Sequence, residues 1–318
     1  MFAMLLRRLT TSITSIILLV TIVFFMIYAT PGGPAYSILG LRASPSAVAA
    51  LNHQMGLDHP IWQQYLTWWG HLLEGNLGYS FTQHVAVSTL MTTYLLNTLM
   101  LYLVATGLSI LLSVAIGMVQ GYRAERSLGK VIDFTEIVIY SLPVFFIGVM
   151  MIYVFAVELN WLPPGGIGHS DVTSGSHVAV YVQHMILPAI TLMLPITAGL
   201  SRYFGHQVRN EYRQDYVRTA MARGIGPVRI ALNHTLRNAV RPLVTVVGMM
   251  IPYIFVGGVL TESVFNYPGL GWLLWKSALN QDYPTVTAIV LLIGVLTIVG
   301  NLMADMLNSI LDVRVRYE

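Results

Sequence analysis

Few residues in this chain have the type and spacing to do chemistry. His169, His177 and His184 share one segment, but spacings of eight and seven fit no compact metal-ligand motif. Solvated loop histidines are the simpler reading. Lys130, in Ser127-Leu128-Gly129-Lys130-Val131, is the sole candidate for a phosphate-cradling loop. That loop needs glycine where Ala124 stands and Ser or Thr where Val131 stands. There is no His-Glu-x-x-His and no Gly-x-Ser-x-Gly. With 0 cysteines there is no thiol nucleophile, disulfide framework or cysteine metal site. The 16 methionines read as packing and lipid-facing residues rather than a metal path. What remains is polar side chains at the edges of apolar runs. Asn97, Tyr253 and Glu262 are candidates to line an outer vestibule of a solute path. Asp133, Glu136 and Asp305 stand at the ends of apolar runs and not at their centres, so a buried proton relay is not indicated.

The elements that must position these residues are spanning helices. The 318 residues are 55% hydrophobic and 10% charged, with mean hydropathy +0.67. A soluble domain carries about 25% charge, so a soluble enzyme, a disordered tail and a fibrous repeat are excluded in favour of a polytopic membrane protein. Charge at a span centre costs roughly 2.5–3.5 kcal/mol on insertion scales, so charge-free stretches locate the spans. Six are long enough: 9–41, 75–122, 137–157, 172–201, 242–261 and 283–304. They predict helices Leu9–Ala29, Leu95–Gln120, Ile137–Val157, Met185–Leu200, Leu243–Leu260 and Thr285–Met303. Pro188 and Pro195 interrupt the fourth, and Pro143 and Pro252 fall in others, as kinks or as breaks around a polar path. The first helix reads as retained, because Pro31-Gly32-Gly33-Pro34 follows it in place of a small-residue cleavage site.

Fifteen of the 17 Lys and Arg fall on one side of this scheme, and only Arg42 and Lys276 on the other. The positive-inside rule then places both termini in the cytoplasm. It also accounts for the net charge of +3 without nucleic acid. The outer loop 30–94 reads as two short helices. Ser44 would cap one, with Pro45 starting it and Gly56 ending it; Asp58 or His59 would cap the next, with Pro60 starting it and Gly75 closing it. Ile61, Tyr65, Trp68, Trp69, Leu72 and Leu73 form one broad face, for an extracytoplasmic partner or for interfacial packing. Ser113, Gly117 and Gly121 are small residues four apart, suited to close helix contact within this chain or with a second one. No internal repeat is visible, and 1–318 reads as a single transmembrane domain.

The loop 202–241 carries eight arginines. Within it, Asp215 to Arg223 reads as a helix with its acid first and base last, matching the macrodipole. Gly224, Gly226 and Pro227 stop it, and a second helix would run from Val228 to about Ala239. The low profile of Thr219, Ala220 and Ala222 suits a partner's cleft. A basic segment attracted to anionic lipid is the equal alternative on these residues alone.

Asp215-Tyr-Val-Arg-Thr-Ala-Met-Ala-Arg-Gly224, followed by Leu236-Arg237-Asn238-Ala239 and Pro242, resembles the coupling loop of ABC importer permeases, and specifically the peptide/nickel branch. Gly56-Leu57-Asp58 with Pro60, Gly75-Asn76-Leu77-Gly78, Leu159-Asn160-Trp161-Leu162-Pro163, Pro268-Gly269-Leu270-Gly271, Asn301-Leu302 with Asp305, and Asp312 with Arg314 and Arg316-Tyr317 extend the resemblance over nearly the whole chain. The long first outer loop suits the first-permease type. Gly33 departs from the family, which usually has an aspartate there.

The resemblance implies the all-α, six-span architecture of a type I ABC importer permease in a prokaryotic cell membrane. The chain would form half of a path for di- or oligopeptides, with nickel chelates, glutathione or oligosaccharides as alternatives. Its partners would be a second permease subunit in a heterodimer, two ATPase subunits and an extracytoplasmic binding protein. ATP and Mg would bind the ATPases and no cofactor this chain. Asp215, Tyr216, Arg218, Thr219, Ala220, Arg223 and Gly224 would make the ATPase contact. A stand-alone secondary carrier is the distant alternative, and it would usually show repeated halves or buried charge. An intramembrane enzyme would need a nucleophile or metal set that the sequence lacks.

Overall fold

The computed structural model describes residues 2–28, 35, 39, 43–54, 57–80, 82–166, 177–250, 252–253 and 258–311. The elements in order are α1 (Phe2–Tyr28), α2 (Pro45–Gln54), α3 (Ile61–Leu73), a two-stranded hairpin of β1 (Tyr79–Ser80) and β2 (Val85–Ala86), α4 (Val87–Tyr122), α5 (Ser127–Ser141), α6 (Val144–Met151) running into a π-helical turn to Glu158, α7 (His177–Tyr212), α8 (Asp215–Ala222), α9 (Pro227–Ile230), a π-helical turn Ala231–Leu236, α10 (Arg237–Met249), α11 (Val259–Val264), α12 (Leu270–Leu279) and α13 (Tyr283–Leu311). Among the described residues, Val87–Tyr122, Val178–Tyr212 and Tyr283–Ala304 are long and apolar enough to cross a membrane, and α5 with α6 forms a fourth, bent candidate. The chain divides into two compact units. One is Met1–Thr98, Phe255–Val259 and Pro268–Val299; the other is Leu99–Ile254, Leu260–Tyr267 and Gly300–Glu318.

Three predicted elements are corrected. The third span is not one helix but two, bent by 100°. Pro143 has no N–H to donate and drives Leu142 to ψ 137, outside the helical region. The fourth is the reverse case: α7 stays continuous through Pro188 and Pro195 and is twice the predicted length. The fifth ends as α10 at Met249, and residues 251 and 254–257 of the predicted span lie outside the described set, as do Pro31 to Pro34, Gly56 and the tail from Asp312.

In the first unit, Ser44 Oγ caps α2 by accepting from Ala47 N at 3.3 Å, as predicted. No side chain caps α3, where Pro60 takes the N-cap position that Asp58 or His59 was expected to fill. Gly75, at φ 77, closes α3. The α3 face is partly covered by α1, with Phe24 5.2 Å from Tyr65 and 5.6 Å from Trp68, while Leu73 stays exposed. Its core is Val87, Leu90, Leu270, Leu273 and Ile289. The hairpin is fastened by buried Asp282, which accepts from Ser80 Oγ at 2.5 Å and Thr82 Oγ1 at 2.9 Å.

The second unit is built on a seam between α4 and α7. Lipid is as apolar as leucine, so helices in a membrane associate through close packing and polar contacts. Ser109 Oγ shares its proton between Ala105 O in its own helix at 2.7 Å and Met193 O across the seam at 3.2 Å, and Ser113 Oγ likewise between Ser109 O at 2.5 Å and Thr197 O at 3.3 Å. One turn on, a Cβ on Gly117 would lie 2.8 Å from Ser201 O; one more, a Cβ on Gly121 would lie 2.7 Å from Gly205 O. The small residues picked out in the sequence therefore serve a contact within the chain. Gly121→Ala is expected to destabilise the purified protein by about 1–3 kcal/mol through overpacking against backbone. Gly107→Ala meets no atom within 4 Å and is expected to be neutral or stabilising. Thermal inactivation midpoints of the two variants check this; equal midpoints would refute the seam.

Candidate functional site

The segment 213–224 is built outward from the end of α7. Gln214, in extended conformation, precedes α8, and Asp215 occupies its first turn. Thr219 Oγ1 donates to Asp215 O at 2.9 Å, and Arg218 Nη1 lies 3.4 Å from Asp215 Oδ1. The helix stops one residue before the predicted Arg223. Ile225 N donates to Ala220 O and Gly224 N to Met221 O, the paired bonds of a Schellman motif. That motif needs a left-handed residue, and Gly224 supplies it at φ 73. Pro227 then opens α9 at the position where its missing N–H costs nothing.

One face of α8 is buried. Val217 and Ala220 pack against Ile230, with Tyr212 and Ile225 at the margin. The other face is free: Asp215, Tyr216, Arg218, Thr219, Met221 and Arg223 are exposed, beside exposed Val228 and Leu232. Of the seven residues expected to meet an ATPase, six are thus on the outer surface, the turn residue Gly224 among them, while Ala220 sits on the inner face. Tyr216 is the hinge between the faces. Its hydroxyl donates to the Glu211 carboxylate and accepts from Asn238 Nδ2 at 3.0 Å, tying α8 to both α7 and α10. Partial burial, and after it the bond to Glu211, raise the pKa of the Tyr216 hydroxyl, so it stays a donor at neutral pH.

Behind this surface, the end of α4 holds the assembly. Tyr122 packs edge-on against Tyr212 at 4.6 Å and donates to Thr235 Oγ1 at 2.7 Å. Glu125 accepts from Arg213 at 2.8 Å and Arg209 at 3.2 Å. Exposed pairs of this kind are worth about 0–1 kcal/mol each, so the aromatic contact and the buried core carry more of the load. Deeper lies a cluster the sequence reading missed. Glu136, 5% exposed, accepts from Gln120 Nε2 at 2.7 Å and Ser201 Oγ at 2.5 Å, joining α4, α5 and α7. Gly205 leaves the space Gln120 occupies, since a Cβ there would fall 2.3 Å from its Oε1. The available signal was a glutamate at the very start of an apolar run, which sequence alone assigned to the interface.

The vestibule candidates differ in their surroundings. Asn97 Nδ2 donates to Pro268 O at 2.8 Å. Glu262 is fully buried and close enough to Tyr102 and Tyr267 to interact electrostatically. Tyr253 is 69% exposed. His184 Nδ1 lies 3.1 Å from Gly165 O. Among the described residues no cluster of three or more His, Asp or Glu is placed to hold a metal.

Long apolar helices make this a multi-pass membrane protein, and its basic loop carries a short helix with one exposed face. The chain belongs to the family of binding-protein-dependent transport system inner membrane components, whose profile matches residues 113–317; the N-terminal profile of the same systems matches 1–106. It is 35% identical over 318 residues to the oligopeptide transport system permease protein AppB of Bacillus subtilis, covering 100% of both chains. It is 31% identical to the dipeptide transport system permease protein DppB of Alkalihalophilus pseudofirmus, with 100% of both covered. It is 33% identical over 316 residues to the glutathione transport system permease protein GsiC of Salmonella typhimurium, with 98% of both covered. Members of this family are transport components working with ATPase and substrate-binding partners, and not enzymes.

Tyr216→Phe keeps the ring and removes both latch bonds, at a cost of about 0.5–1.5 kcal/mol, nearer the lower figure because the site is half open. Amide exchange across 215–224 is expected to quicken, read by mass spectrometry; unchanged protection would mean the latch does not hold α8.

Proposed function

We propose that the chain is one of two permease subunits, in a heterodimer, of an importer for di- and oligopeptides. The observation that carries this is the α8 surface: a short helix buried on one side by Val217 and Ala220 and presenting Arg218, Thr219, Met221 and Arg223 on the other. Such an element suits a groove on an ATPase. Its rigidity would let closure of an ATPase pair displace α7 and α10 together, the kind of packed-element shift by which two-state proteins transmit a local change.

In this reading 1–318 forms a single permease domain with six spans. α5 and α6 count as one broken span, and α1 and the segment from α10 to α11 as two more. Both termini lie in the cytoplasm, on the side of the coupling loop 202–241, and the membrane is the cell membrane of a prokaryote. The loop 30–94 faces the binding protein. ATP and Mg belong to the two ATPase subunits. Asp215, Tyr216, Arg218, Thr219, Ala220, Arg223 and Gly224 form or support the contact, and Asn97, Tyr253 and Glu262 remain candidates for the path. Peptide is favoured as substrate by relatives named for oligopeptide and dipeptide systems. Glutathione, named for a further relative, is itself a tripeptide, so it falls within the same chemistry.

The test is co-purification from native membranes with an ATPase assay. A second permease chain, ATPase subunits and peptide-stimulated ATP turnover should be recovered. Arg218→Glu reverses one exposed charge without touching the buried face. It is expected to leave the complex assembled and lower stimulated turnover at least about tenfold, a 1.4 kcal/mol change or more. Full turnover in Arg218→Glu would remove α8 from the coupling contact. A chain that purifies alone and moves solute in liposomes without ATP would favour the secondary carrier.

A further inference from the structure

An apolar groove of about 510 Å³ runs along α4, α5 and α7 in the second unit, walled by Leu112, Ile116, Val119, Val131, Ile139 and Leu194. From Leu112 to Val119 it extends about 10 Å at 1.5 Å per residue. Two of the polar groups along it, Glu136 and Ser201, are already bonded to each other. One turn beyond, the same three helices enclose a second cavity of about 110 Å³, lined by Gln120, Lys130, Asp133, His206 and Arg209 among others. Arg209 is engaged by Glu125, and Asp133 by Arg202. Lys130 is exposed and makes no side-chain hydrogen bond or ion pair among the described residues.

An apolar groove ending at an uncompensated cation has the polarity of an anionic amphiphile. We propose that these two cavities seat one anionic phospholipid, an acyl chain in the groove and the phosphate at Lys130. Basic pockets between spanning helices on the cytoplasmic side are suited to such headgroups. The leaflet concerned, the cytoplasmic one, rests on the orientation proposed above; the seat itself does not.

The full chain, purified with its partners in mild detergent, is titrated with phosphatidylglycerol or with phosphatidylcholine of the same acyl chains, and bound lipid is read by native mass spectrometry. Phosphatidylglycerol is expected to be retained about fivefold better, the worth of one basic residue at an anionic surface. Lys130→Gln should remove that preference, whereas Lys276→Gln should leave it intact. Ala115→Phe, which places a ring in the groove, should reduce both lipids. Inorganic phosphate should not displace bound phosphatidylglycerol. Equal retention of the two lipids by the unaltered protein, a preference that survives Lys130→Gln, or displacement by phosphate alone would overturn the proposal. So would a benzophenone side chain at position 116 that captures a protein chain and no lipid. None of these readings needs transport or ATP turnover, so the seat can fail while the coupling reading stands, and the reverse.

Discussion

The close approach of α4 to α7 is the constraint on which the second unit depends. Ser109, Ser113, Gly117 and Gly121 recur every fourth residue and meet Met193, Thr197, Ser201 and Gly205 at the same interval. Neither helix gains hydrophobic energy from leaving lipid, so contact distance and the two serine hydrogen bonds must supply the association. Interhelical bonds of this kind average about 0.6 kcal/mol. The seam is thus a sum of small terms, each of which fails if a side chain pushes the backbones apart.

What the seam brings together is the polar bridge and the exposed helix α8. Gln120 and Ser201 come within reach of Glu136 because Gly117 and Gly205 flank them without side chains. A buried carboxylate with both oxygens accepting hydrogen bonds is tolerable, and removing one donor would leave costly unpaired charge. Further along, Tyr122 leaves the seam in contact with Tyr212 and Thr235, so the end of α4 grips both arms that carry α8. The order of effects runs from small residues to helix spacing, from spacing to buried polar pairing, and from there to a fixed outer surface.

The sequence made the existence of the spanning helices legible because charge is so costly in a bilayer that its absence marks them. It made α8 legible because Asp215 at the start and Gly224 at the end bracket a helix by capping rules that need no tertiary context. The prolines were left open between kink and break because their effect is decided by neighbours. Leu142 and Pro143 are exposed, with nothing to hold the chain straight, and it turns by 100°. Pro188 is buried and Pro195 falls between the Met193 and Thr197 rungs of the seam, and α7 continues through both. Glu136 was out of reach for the same reason. Its partners lie 16 and 65 residues away, and no local pattern connects them.

The central claim is that α4, α7 and α8 form one rigid body through the seam and the Tyr122 grip. The absence of native cysteine allows two spin labels to be placed without background, at Leu111 on α4 and Val228 beside α8, both 70% exposed. Their distance distribution in the assembled transporter should be the same with and without ATP, even as the complex changes state. A distribution that shifts or splits on adding ATP would mean that α8 moves independently of the seam, and would contradict the account.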